Sequence, residues 1–168
     1  MVTVEGAGVP LAVTETGDGP LVLVIHGFAS DARHWAASLD ALAAAGARAI
    51  GYDRRGYGAS GAPEPYAATT IQEQAEDAVA LLSGLADGPA LVVGDGFGAL
   101  VALDLLVRHP TRVRGAVLAD APLLAFVPAA TAVLAAERQA LEDALLAGGP
   151  AHAVTQWLGP DADPSRRE

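Results

Sequence analysis

The sequence predicts an α/β domain with a mostly parallel sheet, an N-terminal hairpin and crossover helices. Three observations predict it. Short apolar runs recur along the chain up to Leu118. Segments with helical periodicity lie between these runs. Turn chemistry rich in Gly and Pro punctuates the junctions. Strands alternating with helices in this way give parallel pairs joined by right-handed crossovers. A chain of 168 residues is long enough for one domain with its own core.

Taken in order, Val2 to Glu15 alternates loosely around Gly6 and Gly8 and reads as a β-hairpin. Thr16-Gly17-Asp18-Gly19-Pro20 is a turn. Leu21 to Ile25 is apolar at every position, as a strand buried on both faces requires. Asp31 to Ala45 carries Trp35, Leu39 and Leu42 at helical spacing, and Gly46 ends it. Arg48 to Tyr52 is the next strand, and Asp53 to Tyr66 is a loop rich in Gly and Pro. Thr70 and Glu73 form a capping box. The helix it opens has an apolar face of Ile71, Ala75, Val79, Leu82 and Leu85, with Glu76 and Asp77 placed off that face. Ala90 to Val93 is a strand, Phe97 to Arg108 a helix stopped by Pro110, and Val113 to Leu118 a further strand. Beyond Pro122, Thr131 to Ala147 reads as an amphipathic helix with Leu134, Leu141 and Leu145 on one side. Gly148-Gly149-Pro150 breaks it, and a short helix over Ala151 to Leu158 precedes a polar tail.

Composition narrows the function. The formal net charge of -10 opposes binding to nucleic acid or to an anionic membrane, both of which select a basic face. There is no cysteine, so disulfides and thiolate metal sites are excluded. Every cation is arginine, and without lysine no Schiff-base chemistry is available. No His, Asp and Glu cluster has metal-ligand spacing, and no phosphate-loop or full dinucleotide fingerprint occurs. The expectation is therefore no metal and no cofactor. The start, Met1 to Gly6, lacks a basic segment followed by an apolar one, and no apolar run approaches a membrane span. A cytoplasmic location is the default expectation. The Ala, Gly, Val and Arg bias fits a GC-rich bacterial genome.

Three motifs each follow a predicted strand: His26-Gly27-Phe28, then Asp53-Arg54-Arg55-Gly56-Tyr57-Gly58-Ala59-Ser60, then Gly94-Asp95-Gly96-Phe97-Gly98. That is where open α/β sheets bind ligands, beyond the carboxyl ends of the strands. In this order and at these separations the motifs resemble the α/β-hydrolase family, and the resemblance covers nearly the whole chain. It implies a core over residues 1–121, a partial helical lid over 122–158 and a flexible tail over 159–168. It implies a hydrolase acting on small molecules such as esters or epoxides. It assigns an oxyanion hole to the backbone N–H groups of Phe28 and Phe97. His26, Gly27 and Trp35 would line the pocket.

The sequence departs from that family at the elbow. The G-x-S-x-G pattern reads Gly94-Asp95-Gly96-Phe97-Gly98, so Gly96 holds the nucleophile position and brings no alcohol, thiol or carboxylate. Glycine does suit the positive φ that such an elbow demands. Relatives of the epoxide hydrolase and dehalogenase type use an elbow aspartate as a covalent nucleophile. Asp95, one residue early, is thus a candidate catalytic residue, and a charge favourable to the following helix dipole is its alternative role. Asp120, after the last strand, stands where some family members place the catalytic acid, and a structural hydrogen-bonding role is its alternative. In the family, acid and histidine usually follow later strands, so the chain is expected to end within the lid. None of its four histidines matches the base position: His26 reads as a loop residue, His34 as a surface or mouth residue, His109 as a helix C-terminal residue and His152 as solvated, with lining a pocket as its alternative.

Three readings follow. The first is a pseudoenzyme that keeps the pocket and binds a small apolar molecule. The second is a truncated fragment of an active hydrolase or lyase. The third is a non-catalytic binding or dimerising module, in which the Val113–Leu118 strand is an exposed edge suited to a homodimer.

Overall fold

A computed structural model describes residues 1–65, 68–85 and 88–159. Tyr66, at the end of the expected loop, and the tail from 160 lie outside the described residues. The strands are β1 (Val2–Glu5), β2 (Pro10–Thr16), β3 (Leu21–Ile25), β4 (Arg48–Tyr52), β5 (Ala90–Asp95) and β6 (Val113–Ala119). The helices are α1 (Ala36–Ala44), α2 (Ile71–Leu85), α3 (Phe97–Arg108) and α4 (Ala130–Leu158). The chain divides into two compact units, Met1–Ala121 and Pro122–Glu168.

In the first unit the strands form one sheet in the order β1-β2-β4-β3-β5-β6. β1 and β2 pair antiparallel as the expected hairpin, and β2 meets β4 antiparallel. All remaining pairs are parallel. This is the mostly parallel sheet with an N-terminal hairpin expected from the strand-helix alternation. β3 shows why an apolar run specifies a central strand. Its side chains alternate between faces, so Leu23 and Ile25 join the larger core with Leu81, Leu82, Val101 and Leu105. Val22 and Val24 join a second cluster on the other face, with Leu39 and Ala49. β5 runs beyond the expected Val93, because Gly94 pairs with Ile25 and Leu118 and Asp95 pairs with Ala119.

The expected continuous helix from Asp31 starts instead as a 3-10 turn over Ala32–Trp35. Asp31 caps the backbone N–H of Arg33 at 2.8 Å, and Asp53 accepts the Ala32 N–H at 2.9 Å. The entry is therefore tied to the β4 loop before the α-helix begins. The capping box of α2 forms reciprocally: Thr70 N–H donates to Glu73 at 2.7 Å, and Glu73 N–H donates to Thr70 Oγ1 at 3.2 Å. One expectation for α2 is corrected. Asp77 does not lie off the buried face but is 1% exposed, because Arg55 forks onto it from the β4 loop.

In the second unit α4 carries a kink at Gly149 (φ 74, ψ -173), directly before Pro150. Proline lacks the N–H that an unbroken helix would use. On the expected apolar side Leu134 and Leu141 are half-buried, whereas Leu145 remains 47% exposed and Ala144 is buried instead. Among the described residues no helix is long and apolar enough to cross a membrane.

Candidate functional site

The parallel register sets the site. Ile25 is level with Gly94, Gly94 with Leu118, and Asp95 with Ala119. The segments leaving β3, β5 and β6 therefore emerge side by side. Two elbow glycines permit this close packing. A Cβ on Gly98 would overlap the carbonyl oxygen of Ile25, and one on Gly94 would overlap that of Gly98.

Gly96 has φ 52 and ψ -118, a conformation that residues with a side chain rarely adopt. Its N–H donates to the Ala119 carbonyl at 3.0 Å, and its own carbonyl accepts the Ala99 N–H at 3.0 Å. Two residues with side chains also take positive φ here, Ala29 after β3 and Asp120 after β6, both at 47°. Strain of this kind persists only where surroundings over-determine it, and it concentrates at functional sites.

Phe28, after β3, and Phe97, at the start of α3, lie against one another. Their ring centroids are 5.9 Å apart at 46°, and the residues are 37% and 43% exposed. Phe97 opens α3, so its N–H is among those without an intrahelical acceptor. Asp95 is half-buried at the end of β5. Its carboxylate lies against the loop after β3, with Oδ2 3.2 Å from where a Gly27 Cβ would stand. Asp120 is exposed. Trp35 packs against the cluster of Val22, Val24, Leu39 and Ala49.

His26 is 1% exposed, and both ring nitrogens are engaged. Nδ1–H donates to the Gly27 carbonyl at 2.9 Å, and Nε2 accepts the Arg54 backbone N–H at 3.0 Å. Burial, with the charge of Arg54 second, pushes the imidazole down to about 4. It is neutral near pH 7, with no lone pair left to take a proton from a ligand. The other histidines serve elsewhere. His109 caps the end of α3 and meets Glu76 at 3.1 Å, while His34 and His152 are exposed. Among the described residues no group of three or more His, Cys, Asp or Glu could hold a metal ion.

Arg54 is the residue that sequence reasoning missed. It is 2% exposed and reaches the Gly27 carbonyl through Nη2 at 2.8 Å, Gln74 Oε1 through Nη1, and the face of Tyr57 at 4.3 Å. Its place in the Asp53–Ser60 motif was visible. Its partners, lying 20 and 27 positions away, leave no local periodicity.

A family model described as alpha/beta hydrolase fold matches residues 20–155. An epoxide hydrolase of Caballeronia sordidicola is 40% identical over 105 residues, 62% of this chain and 32% of that protein. Epoxide hydrolase A of Mycobacterium tuberculosis is 33% identical over 171 residues, 93% of this chain and 53% of that protein. The solved structure of a mutant Vigna radiata epoxide hydrolase is similar with a TM-score of 0.75 at 28% identity, covering 94% of this chain and 54% of that one. The chain thus spans 32% to 54% of the length of these relatives.

Proposed function

The chain belongs to the α/β-hydrolase fold family, and on that premise we propose that its site binds a small apolar molecule through one acceptor oxygen, as in an epoxide or ester, and forms no covalent bond at the elbow. The observation that carries this reading is Gly96, which keeps the elbow conformation without a nucleophile. Relatives named as epoxide hydrolases support the ligand class. The half-exposed Phe28 and Phe97 rings supply an apolar cover for the carbon part. The N–H groups of Phe28 and Phe97 would receive the oxygen, as preorganised backbone donors do in this family. Where the segment is part of a longer protein, an acid and a base supplied by other strands would still meet a glycine at position 96.

A second reading draws on Asp95, whose carboxylate lies beside Gly27. In it a carboxylate oxygen attacks an epoxide carbon, the ring C–O bond breaks, and the alkoxide takes a proton from water. The protein then gains the whole mass of the epoxide. One experiment separates the two. Styrene oxide is titrated into the labelled protein while backbone amides and intact mass are followed. Saturable shifts at Phe28 and Phe97 with unchanged mass are expected. A mass gain that disappears in Asp95→Asn would establish the second reading, and absence of both signals would remove the ligand class.

A further inference from the structure

We infer that Arg54 is a positioning residue for the ligand oxygen, holding and polarising the Gly27–Phe28 peptide so that the Phe28 N–H is set to donate. The inference rests on the oxyanion reading of that N–H proposed above.

The geometry is a closed ring of bonds. The Arg54 backbone N–H donates to His26 Nε2 at 3.0 Å, His26 Nδ1–H donates to the Gly27 oxygen at 2.9 Å, and Arg54 Nη2 donates to the same oxygen at 2.8 Å. A trans peptide is planar, so the N–H of Phe28 points opposite to the Gly27 carbonyl. Fixing the oxygen inward, onto Arg54, turns that N–H away from Arg54. Two donors on one carbonyl also polarise the peptide and strengthen the donor at its other end, because hydrogen bonds in a chain reinforce one another.

The charge is what a purely structural tie would not need. Buried cations are ordinarily paired with carboxylates. The neighbouring Arg55 obeys this, binding Asp77 at 2.6 and 2.8 Å. Arg54 takes neutral acceptors instead: the Gly27 carbonyl, the Gln74 amide and the Tyr57 ring. Among the described residues its Nε has no hydrogen-bond partner. No carboxylate among the described residues forms an ion pair with it, so a charge without a paired carboxylate sits one hydrogen bond behind the peptide whose N–H faces the ligand. Burial first, and the same charge second, keep His26 neutral, which preserves the direction of the Nδ1–H bond.

Two substitutions test this, read in the ligand-free protein and with styrene oxide. Gln74→Glu is nearly isosteric and gives Arg54 a carboxylate, neutralising the charge while retaining the ring of bonds. It is expected to weaken styrene oxide binding about fivefold or more and to move the Phe28 amide proton upfield, with the Leu23 and Val92 amides unchanged. Arg54→Met removes the donor, and the Phe28 amide proton is expected to move upfield in the same direction as in Gln74→Glu. If Gln74→Glu leaves both the Phe28 amide and the binding constant unaltered, Arg54 is structural and the inference is overturned, whether or not Arg54→Met folds. If the unaltered protein does not bind styrene oxide, the ligand reading fails. The Phe28 amide response in the ligand-free protein then decides the role of Arg54 by itself.

Discussion

The Cα of Gly27 stands 3.8 Å from the point that a Cβ on Gly96 would occupy, an ordinary van der Waals separation. The elbow therefore has room for a side chain but holds a backbone conformation that penalises one. Gly96→Ser is expected to fold and to lose about 1–3 kcal/mol, the usual cost of a disfavoured φ/ψ. Gly98→Ala and Gly94→Ala differ, because each new methyl would overlap backbone oxygen that cannot turn aside. Urea unfolding should rank Gly96→Ser clearly above both. Equal losses at all three positions would show that the elbow is not open.

Arg55 and Asp77 join the β4 loop to α2 with both residues almost fully buried. Asp77 Oδ1 also accepts the Ala7 N–H at 2.9 Å. Removing Asp77 strips buried Arg55 of its main counter-charge and leaves it only the longer contact with the half-exposed Glu73 at 3.9 Å. Asp77→Leu is expected to cost about 3–5 kcal/mol. The double replacement Arg55→Met with Asp77→Leu should cost less than the sum of the single losses. A double-mutant cycle by chemical denaturation checks this, and strict additivity would refute the coupling.

Much of the fold was legible because the apolar runs are bounded sharply. β3 and β4 coincide with Leu21–Ile25 and Arg48–Tyr52, and α3 with Phe97–Arg108. The elbow was legible too, since a glycine between two glycines is a local pattern. What could not be read was polar pairing at long range. Helical spacing puts Asp77 away from Ile71, Ala75 and Leu82, and only the fold shows Arg55 arriving from another element. Arg54 is hidden for the same reason, and a buried arginine bonded to neutral acceptors has no signature in composition.

Ala29 takes φ 47 in the loop after β3, a region that costs an L-residue roughly 1–2 kcal/mol. Ala29→Gly removes that strain but frees the unfolded chain, so a net gain of about 0.5 kcal/mol is expected. Ala29→Val adds β-branching where it is least tolerated and should lose more than about 1 kcal/mol. Thermal unfolding of both variants measures the sign. A stabilising Val would contradict the conformation.

His26 should make stability depend on pH in a definite window. Its imidazole is pushed down to about 4 in the folded chain, against about 6.5 when unfolded. The unfolded chain binds the proton more tightly, so acid favours unfolding. The contribution is whole above pH 6.5, falls away as pH drops toward 4, and is level below that. The gap corresponds to roughly 3 kcal/mol. The carboxyls of Glu15 and Asp31, held low chiefly by side-chain hydrogen bonds from Arg48 and Arg33, lose their contributions at more acidic pH, leaving the upper part of the window to His26. His26→Gln keeps an acceptor for the Arg54 N–H but cannot titrate. Its unfolding free energy should be flat between pH 6.5 and 5, where that of the unaltered protein falls. Parallel curves for the two proteins would show that His26 is not the titrating group.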